Sequence, residues 1–394
     1  MKILHIVRSL DPAMGGLPAV VARLAAGQAL LGHDVSIAAY SDPGNNLAVS
    51  EFLESIPYMD NIKILDCGKE NYLEHITAGG AFYRIKGAAQ DHDVVHLHGI
   101  WDSILLAAAR AAKVRGIPYV VTPHGMLDPW SLGQKSWKKR LALRLRNRSM
   151  LTGALFIHVL NEDEQVLATP LGLETAFEVI PNGLFSEELE CLPEKGSFVA
   201  SHEKLRGKPY ILFLSRLHYK KGLDILAEAF GYVAQNNADV DLVVAGPDGG
   251  ALRDFNAEIQ SRGLGNRVHV VGPLYGEEKM AAYVDAAVFC LPSRQEGFSM
   301  AILEALGCGV PAVVSQQCHF PEVERAGAGR VVALDGRQFG EALVGLLCDR
   351  KNSHVAGERA RRFVLSRYTC RRIAEQMISA YQCRQPVYRD QEIT

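Results

Sequence analysis

Residues 291–313, LPSRQEGFSMAILEALGCGVPAV, read as the end of one strand, a loop, a short helix and the start of the next strand. Ser299 stands where a helix cap belongs, Met300 to Leu306 is a run of good helix formers, and the Gly-Cys-Gly-Val-Pro segment at 307–311 stops it. Apolar runs at Ala287–Leu291 and Pro311–Ser315 flank the helix, which makes the stretch a βαβ unit and predicts a parallel sheet. Glu296 falls in the loop before the helix and Glu304 within it. The backbone amides of residues 298 to 301 then lack intrahelical acceptors and offer an anion site between two carboxylates. Ribose hydroxyls, a diphosphate and sugar hydroxyls present a matching series of groups.

The same alternation runs through the chain. Strand candidates in the first half are Lys2–Val7, Asp34–Ala39, Ile62–Leu65, Asp93–His98, Pro118–Thr122 and Ala154–Val159, with helical patterns at Leu17–Leu31 and Asp102–Arg115. The second half restarts with Tyr210–Leu214, Asp241–Ala245, Val268–Val271, Ala287–Leu291, Pro311–Ser315 and Arg330–Ala333. Two doubly wound α/β domains follow. The turn at 180–183 and the polar, aperiodic stretch Ser186–Gly207 mark the expected linker. Boundaries are accordingly set at 1–184, 205–367 and a C-terminal helix within 368–394.

Composition narrows the function class. The 394 residues carry 42 Lys and Arg against 44 Asp and Glu, a net charge of -2 that argues against a nucleic-acid binder with a basic surface. Eight cysteines show neither CxxC pairs nor zinc spacing and read as reduced thiols. The opening MKILHIVRSLDP is too short and too charged for a signal peptide or anchor, so a cytoplasmic protein is expected.

The Glu, seven residues, Glu pattern at 296–304, set between LPS at 291–293 and GCGVPAV at 307–313, resembles the signature of retaining GT-B glycosyltransferases of family 4. That resemblance implies two Rossmann-like domains facing a central cleft and a last helix, at Tyr368–Gln382, returning to the first domain. It implies transfer of a hexose, with UDP-glucose the preferred donor, to a growing lipid-linked exopolysaccharide or cell-surface glycan with retention at the anomeric carbon. SRLHYKKG at 215–222 resembles the family's Arg and Lys-Gly motif, so Arg216 and Lys221 would hold the diphosphate together with Phe298, Ser299 and Met300. Glu304 would bind ribose, and Glu296 would fix sugar hydroxyls near the anomeric carbon as a catalytic residue.

Gly15 and Gly16 in DPAMGGLPAV resemble the family's glycine loop over the diphosphate, and His124 in VVTPHGMLDPW resembles its sugar-contacting histidine, which places it with Glu296 among the catalytic residues. Gly272 and Leu274 in VGPLY match its base-binding turn. The PHG string with SLG and WKK after it looks like members that build exopolysaccharides. His96 and His98 read as strand-end packing, with His98 near the acceptor and no third metal partner evident. The pairs Asp91/Asp93 and Asp239/Asp241 precede strands, on the edge opposite the expected site, so no metal or cofactor is assigned.

Seven cations between Lys135 and Arg148, with no acid from 129 to 161, describe a basic amphipathic helix, which reads equally as a solvated face over a core stripe or as a surface for anionic lipid or a polyprenyl-diphosphate-linked acceptor. Rival readings are another GT-B nucleotide-sugar enzyme, an epimerase or phosphorylase, and a two-lobed sugar-binding protein without catalysis. A nicotinamide enzyme loses ground because no GxGxxG fingerprint is present.

Overall fold

The computed structural model describes residues 1–41, 44–133, 142–205, 207–236 and 239–384. The chain forms two units, one of Met1–Phe185 with the C-terminal segment from Cys370, the other of Ser186–Thr369.

The first unit holds a seven-stranded sheet: β1 (Lys2–Ile6), β2 (Asp34–Ser41), β3 (Lys63–Lys69), β4 (Val94–His98), β5 (Tyr119–Thr122), β6 (Ile157–Val159) and β7 (Phe177–Val179). Their spatial order is β3-β2-β1-β4-β5-β6-β7, every pairing parallel. Alternate residues of these strands feed two cores. Leu4, Ile6, Val95, Leu97 and Val121 pack on one face, while Ile3, Val94, Val120 and Phe156 pack on the other, beneath α1 (Gly16–Leu30) and the C-terminal helix. Each fully buried aliphatic side chain contributes roughly 1.5–3 kcal/mol.

The second unit repeats the scheme with β8 (Tyr210–Leu214), β9 (Asp241–Ala245), β10 (Val268–Gly272), β11 (Val288–Leu291), β12 (Ala312–Ser315) and β13 (Gly329–Val332). The order is β10-β9-β8-β11-β12-β13, again all parallel. Helices α2 (Leu223–Asn236), α3 (Gly276–Asp285) and α4 (Met300–Gly307) serve its site, and α5 (Cys370–Arg384) belongs to the first unit. Strand order reverses between β1 and β4 in one sheet and between β8 and β11 in the other, the switch points where doubly wound sheets take ligands.

Helices α1 and α5 approach closely because Gly27 has no side chain: a Cβ there would lie 2.9 Å from the Cys370 carbonyl oxygen and 3.3 Å from the Ala374 Cβ. Tyr381 of α5 is fully buried against the first sheet.

Two readings change. Residues 186–205 are not a free linker but short helices of the second unit, at Ser186–Glu190 and Ser197–Ser201, with Leu189, Phe198 and Leu205 buried. The Asp285 carboxylate accepts from the amides of Gly196, Phe198 and Val199, an anchor almost ninety positions away in sequence. The short edge strand β7 also went unread, since Phe177–Val179 offers only three residues and none of them is buried.

Candidate active site

In the second unit, the loops after β8 and β11 are tied together at the switch point. Gly222 closes the β8 loop in the left-handed region (φ 69°), and a Cβ there would clash with the Pro292 carbonyl oxygen at 1.9 Å. Arg294 donates through both terminal nitrogens to Asp224, at 2.8 and 2.6 Å, lies over the Tyr219 ring at 4.1 Å, and gives its amide to the Lys220 carbonyl at 2.7 Å. This fork holds the Asp224 carboxyl below its ordinary range.

Within that frame Lys221 Nζ stands 2.5 Å from Glu296 Oε1, and the buried Ser293 hydroxyl donates to the same oxygen. The Glu296 amide donates to the Gln317 carbonyl, which fixes the loop at its backbone. Arg216 is exposed, and among the described residues its guanidinium has no acceptor. A chain that ties down Arg294 this thoroughly leaves Arg216 uncommitted.

Ser299 caps α4 by accepting from the Ile302 amide at 3.4 Å, and the first backbone bond of the helix runs from the Leu303 amide to the Ser299 carbonyl. The amides of Phe298, Ser299, Met300 and Ala301 precede it and remain available to an anion. One helical turn on, Glu304 is buried and receives Lys279 Nζ at 2.7 Å and the Tyr283 hydroxyl at 3.1 Å, both from α3. Burial and this carboxylate push the Tyr283 phenol well above its ordinary value, so it stays a donor. Gly272 (φ 83°) has open space where a Cβ would be, Leu274 is buried, and among the described residues the Leu274 amide and carbonyl have no hydrogen-bond partner.

In the first unit, Asp11 caps a 3-10 turn at Pro12–Met14, and Gly15 (φ 105°) leads into α1. Among the described residues, a Cβ on Gly16 would meet nothing within 4 Å. His124 and Gly125 both take left-handed φ, at 52° and 75°. The buried Glu164 carboxylate braces this turn, accepting from the Gly125 amide at 2.5 Å and the Leu160 amide at 2.8 Å. Sequence shows Glu164 only as the third residue after the capping Asn161, and its grip on Gly125 needed the fold.

The expectation of no third partner for His96 and His98 is corrected. His5 in β1 sits opposite His96 in the parallel register, and ring nitrogens of His5, His96 and His98 all lie within 4.8 Å of one another. These three side chains are buried, as is His158, and burial lowers His5 to about 4, His158 to about 4 and His124 to about 3, with His96 and His98 well below the ordinary value. His96 and His98 stack at 4.3 Å, so the packing part of their reading holds.

The carboxylates of the AspXxxAsp pairs are placed at strand starts. Asp93 accepts from the Lys2 amide, and Asp241 is buried against His269 at 2.9 Å with Lys208 and Arg267 near 4 Å. Residues 135–141 of the basic stretch lie outside the described residues. Its described end is occupied, because Arg148 donates to the carbonyls of Leu171 and Gly172 at 2.8 and 2.7 Å.

Two sequence families meet on this architecture: one described as "Glycosyl transferases group 1" matches residues 195–376, and one described as "Glycosyl transferase 4-like domain" matches 15–183. The chain belongs to the group 1 glycosyl transferases. Its two units have the GT-B fold.

Among its relatives, GDP-mannose:cellobiosyl-diphosphopolyprenol alpha-mannosyltransferase of Xanthomonas campestris is 25% identical over 100% of this chain and 99% of its own. The phosphatidylinositol N-acetylglucosaminyltransferase GPI3 subunit of Saccharomyces cerevisiae is 26% identical over 58% of this chain, and the match spans only 49% of that protein. HepE of Anabaena, solved with UDP and glucose, superposes with a TM-score of 0.78 at 19% identity, covering 97% of this chain and 100% of that one. Among the described residues, no helix is long and apolar enough to cross a membrane.

Proposed function

We propose that this group 1 glycosyl transferase moves a hexose from a nucleoside-diphosphate sugar to a growing, lipid-linked glycan of the exopolysaccharide or cell-surface type, with retention at the anomeric carbon. The observation that carries the reading is the switch point of the second sheet. There Lys221 pairs with the buried Glu296, the amides ahead of α4 are open, Glu304 is buried and preorganised within α4, and Arg216, uncommitted among the described residues, lies in the loop after β8. A diphosphate leaving group gains negative charge as its bond breaks, and fixed cations and amides stabilise that charge.

In this account Arg216, Lys221 and the amides of Phe298, Ser299 and Met300 bind the diphosphate. Glu304, already aligned by Lys279 and Tyr283, accepts from the ribose hydroxyls, and the backbone of Leu274 together with the space beside Gly272 receives the base. Glu296, held at one oxygen by Lys221 and Ser293, orients sugar hydroxyls. Gly15, Gly16 and His124 take the diphosphate and the sugar from the first unit.

Acceptor attack on the face the leaving group departs from accounts for retention without a covalent intermediate. A double displacement would require a second carboxyl about 5 Å away across the reacting bond, and this reading assigns no second carboxylate to that role. No metal or cofactor is assigned a role, because protein cations supply the charge. The donor is UDP-glucose in the first reading; the relative from Xanthomonas campestris, matched along its full length, favours GDP-mannose as the second.

Residues 135–148 would bring the enzyme to the inner face of the membrane, and salt-sensitive binding to anionic vesicles checks that part. Transfer itself is tested with radiolabelled UDP-glucose and GDP-mannose on a polyprenyl-diphosphate-linked glycan in the presence of EDTA. The expected result is a product with retained anomeric configuration from one donor. An inverted product, or activity abolished by EDTA and restored only by a divalent ion, would contradict the proposal.

A further inference from the structure

Eight hydrogen bonds join the Ile180 carbonyl to His124 through the interior of the first unit, and their direction can be worked out from one end. The carbonyl can only accept, so His158 must carry its proton on Nε2, which reaches Ile180 at 2.6 Å. His158 Nδ1 is then a bare acceptor and takes the Thr122 hydroxyl proton at 2.7 Å. With its proton spent, Thr122 Oγ1 accepts from His96 Nε2 at 2.6 Å, and His96 Nδ1 accepts from the Tyr381 hydroxyl at 2.6 Å. Tyr381 Oη accepts from Gln28 Nε2 at 3.3 Å, which turns Gln28 Oε1 toward His5 Nε2 at 2.7 Å. His5 Nδ1 accepts from His98 Nε2 at 2.8 Å, and His98 Nδ1 accepts from His124 Nε2 at 3.1 Å.

Reversing any neutral link propagates along the chain until His158 Nε2, stripped of its proton, faces the Ile180 oxygen lone pair to lone pair. Burial keeps the five rings neutral near pH 7, since each is lowered well beneath its ordinary value. His124 Nδ1 has no partner among the described residues, and the side chain is half-buried.

We propose that this directed chain is a positioning device: it holds His124 as the Nε2–H tautomer, so that Nδ1 is an obligate acceptor for a hydroxyl of the bound sugar. Thr122, Gln28, Tyr381 and the other four histidines are positioning residues that act through His124. The tautomer follows from the hydrogen-bond geometry alone; the sugar contact rests on the function proposed above. A site with a bare acceptor selects ligands that bring a hydroxyl and penalises analogues that lack it. The geometry also argues against reading His5, His96 and His98 as a metal centre, because all six of their ring nitrogens already serve in the chain.

The test is a long-range 15N–1H correlation spectrum of the whole enzyme labelled at histidine, at pH 7.5, with His124 assigned from its loss in His124→Asn. The expected spectrum shows five neutral rings, all Nε2–H. Nδ1–H at His124, an imidazolium at any of the five, or a stoichiometric metal in the purified protein would overturn the proposal.

Tyr381→Phe cuts the chain with little change of volume, and the His124 signal should become a mixture of tautomers. A His124 signal unchanged in this variant would overturn the positioning role. In transfer assays with a series of monodeoxy donors, wild type should lose about tenfold in kcat/KM at one sugar position, and Tyr381→Phe should shrink that penalty. Equal rates for every deoxy donor, with the tautomer as expected, would refute the sugar contact and leave the chain standing.

Discussion

Lys221 Nζ lies 2.5 Å from Glu296 Oε1, with the two side chains 18% and 9% exposed. The cation assigned to the leaving group thus also neutralises the carboxylate assigned to the sugar. Lys221→Ala should weaken nucleoside-diphosphate binding by about 1–3 kcal/mol and also lower thermal stability, because Glu296 is left buried without its counter-ion. Lys221→Ala with Glu296→Gln should recover much of the stability but none of the affinity, as read by calorimetry and thermal unfolding. Recovery of both together would remove Lys221 from the diphosphate site.

Gly16 gives a steric probe of the first unit. Since a Cβ there meets nothing within 4 Å among the described residues, Gly16→Ala should fold with an unchanged or slightly higher Tm. Donor binding should nonetheless weaken if an anion approaches that backbone. Unaltered affinity for the donor sugar would take the glycine loop out of the site.

Glu304 is aligned by Lys279 and Tyr283 before any ligand arrives. Glu304→Gln should therefore weaken UDP and GDP more than it weakens pyrophosphate, which has no ribose. Lys279→Met should show the same ranking at smaller size. Equal losses for all three ligands would refute the ribose assignment.

Periodicity made most of the fold readable, because parallel strands buried on both faces leave continuous apolar runs such as YILFL at 210–214 and VFCL at 288–291. Strand β7, three residues long and not buried, left no such trace. The cap at Ser299 was legible because its chemistry is local. What escaped are contacts between distant segments: Asp285 gathering the 196–199 backbone, Glu164 bracing His124, and Lys279 reaching Glu304. His5 was silent for the same reason, since only the β1–β4 register sets it beside His96.

Acid should unfold the first unit early. The five histidines of the buried chain have folded pKa values lowered beneath the unfolded value of about 6.5, so below that pH the unfolded state binds protons that the folded state refuses. Above about pH 6.5 both states are neutral and these groups contribute no slope. Between about 6.5 and the folded values, near 4 for His5 and His158 and near 3 for His124, each costs up to about 1.4 kcal/mol per pH unit. Among the described residues, no carboxylate bonds to any of the five rings to offset this. Thermal unfolding from pH 7.5 to pH 5 should show Tm falling steeply below pH 6.5, and a flat profile would contradict the buried neutral chain.

Titration calorimetry with Arg216→Ala tests the central claim most directly, because the exposed guanidinium has no partner among the described residues and its loss should not disturb the fold. Wild type and variant are compared with UDP, GDP, UDP-glucose, GDP-mannose and the corresponding nucleoside monophosphates. The account predicts that wild type binds one diphosphate series, that the monophosphates bind far more weakly, and that Arg216→Ala weakens the diphosphates by about 1–3 kcal/mol with Tm unchanged. Absence of nucleoside-diphosphate binding in wild type, or equal affinity in the variant, would contradict it.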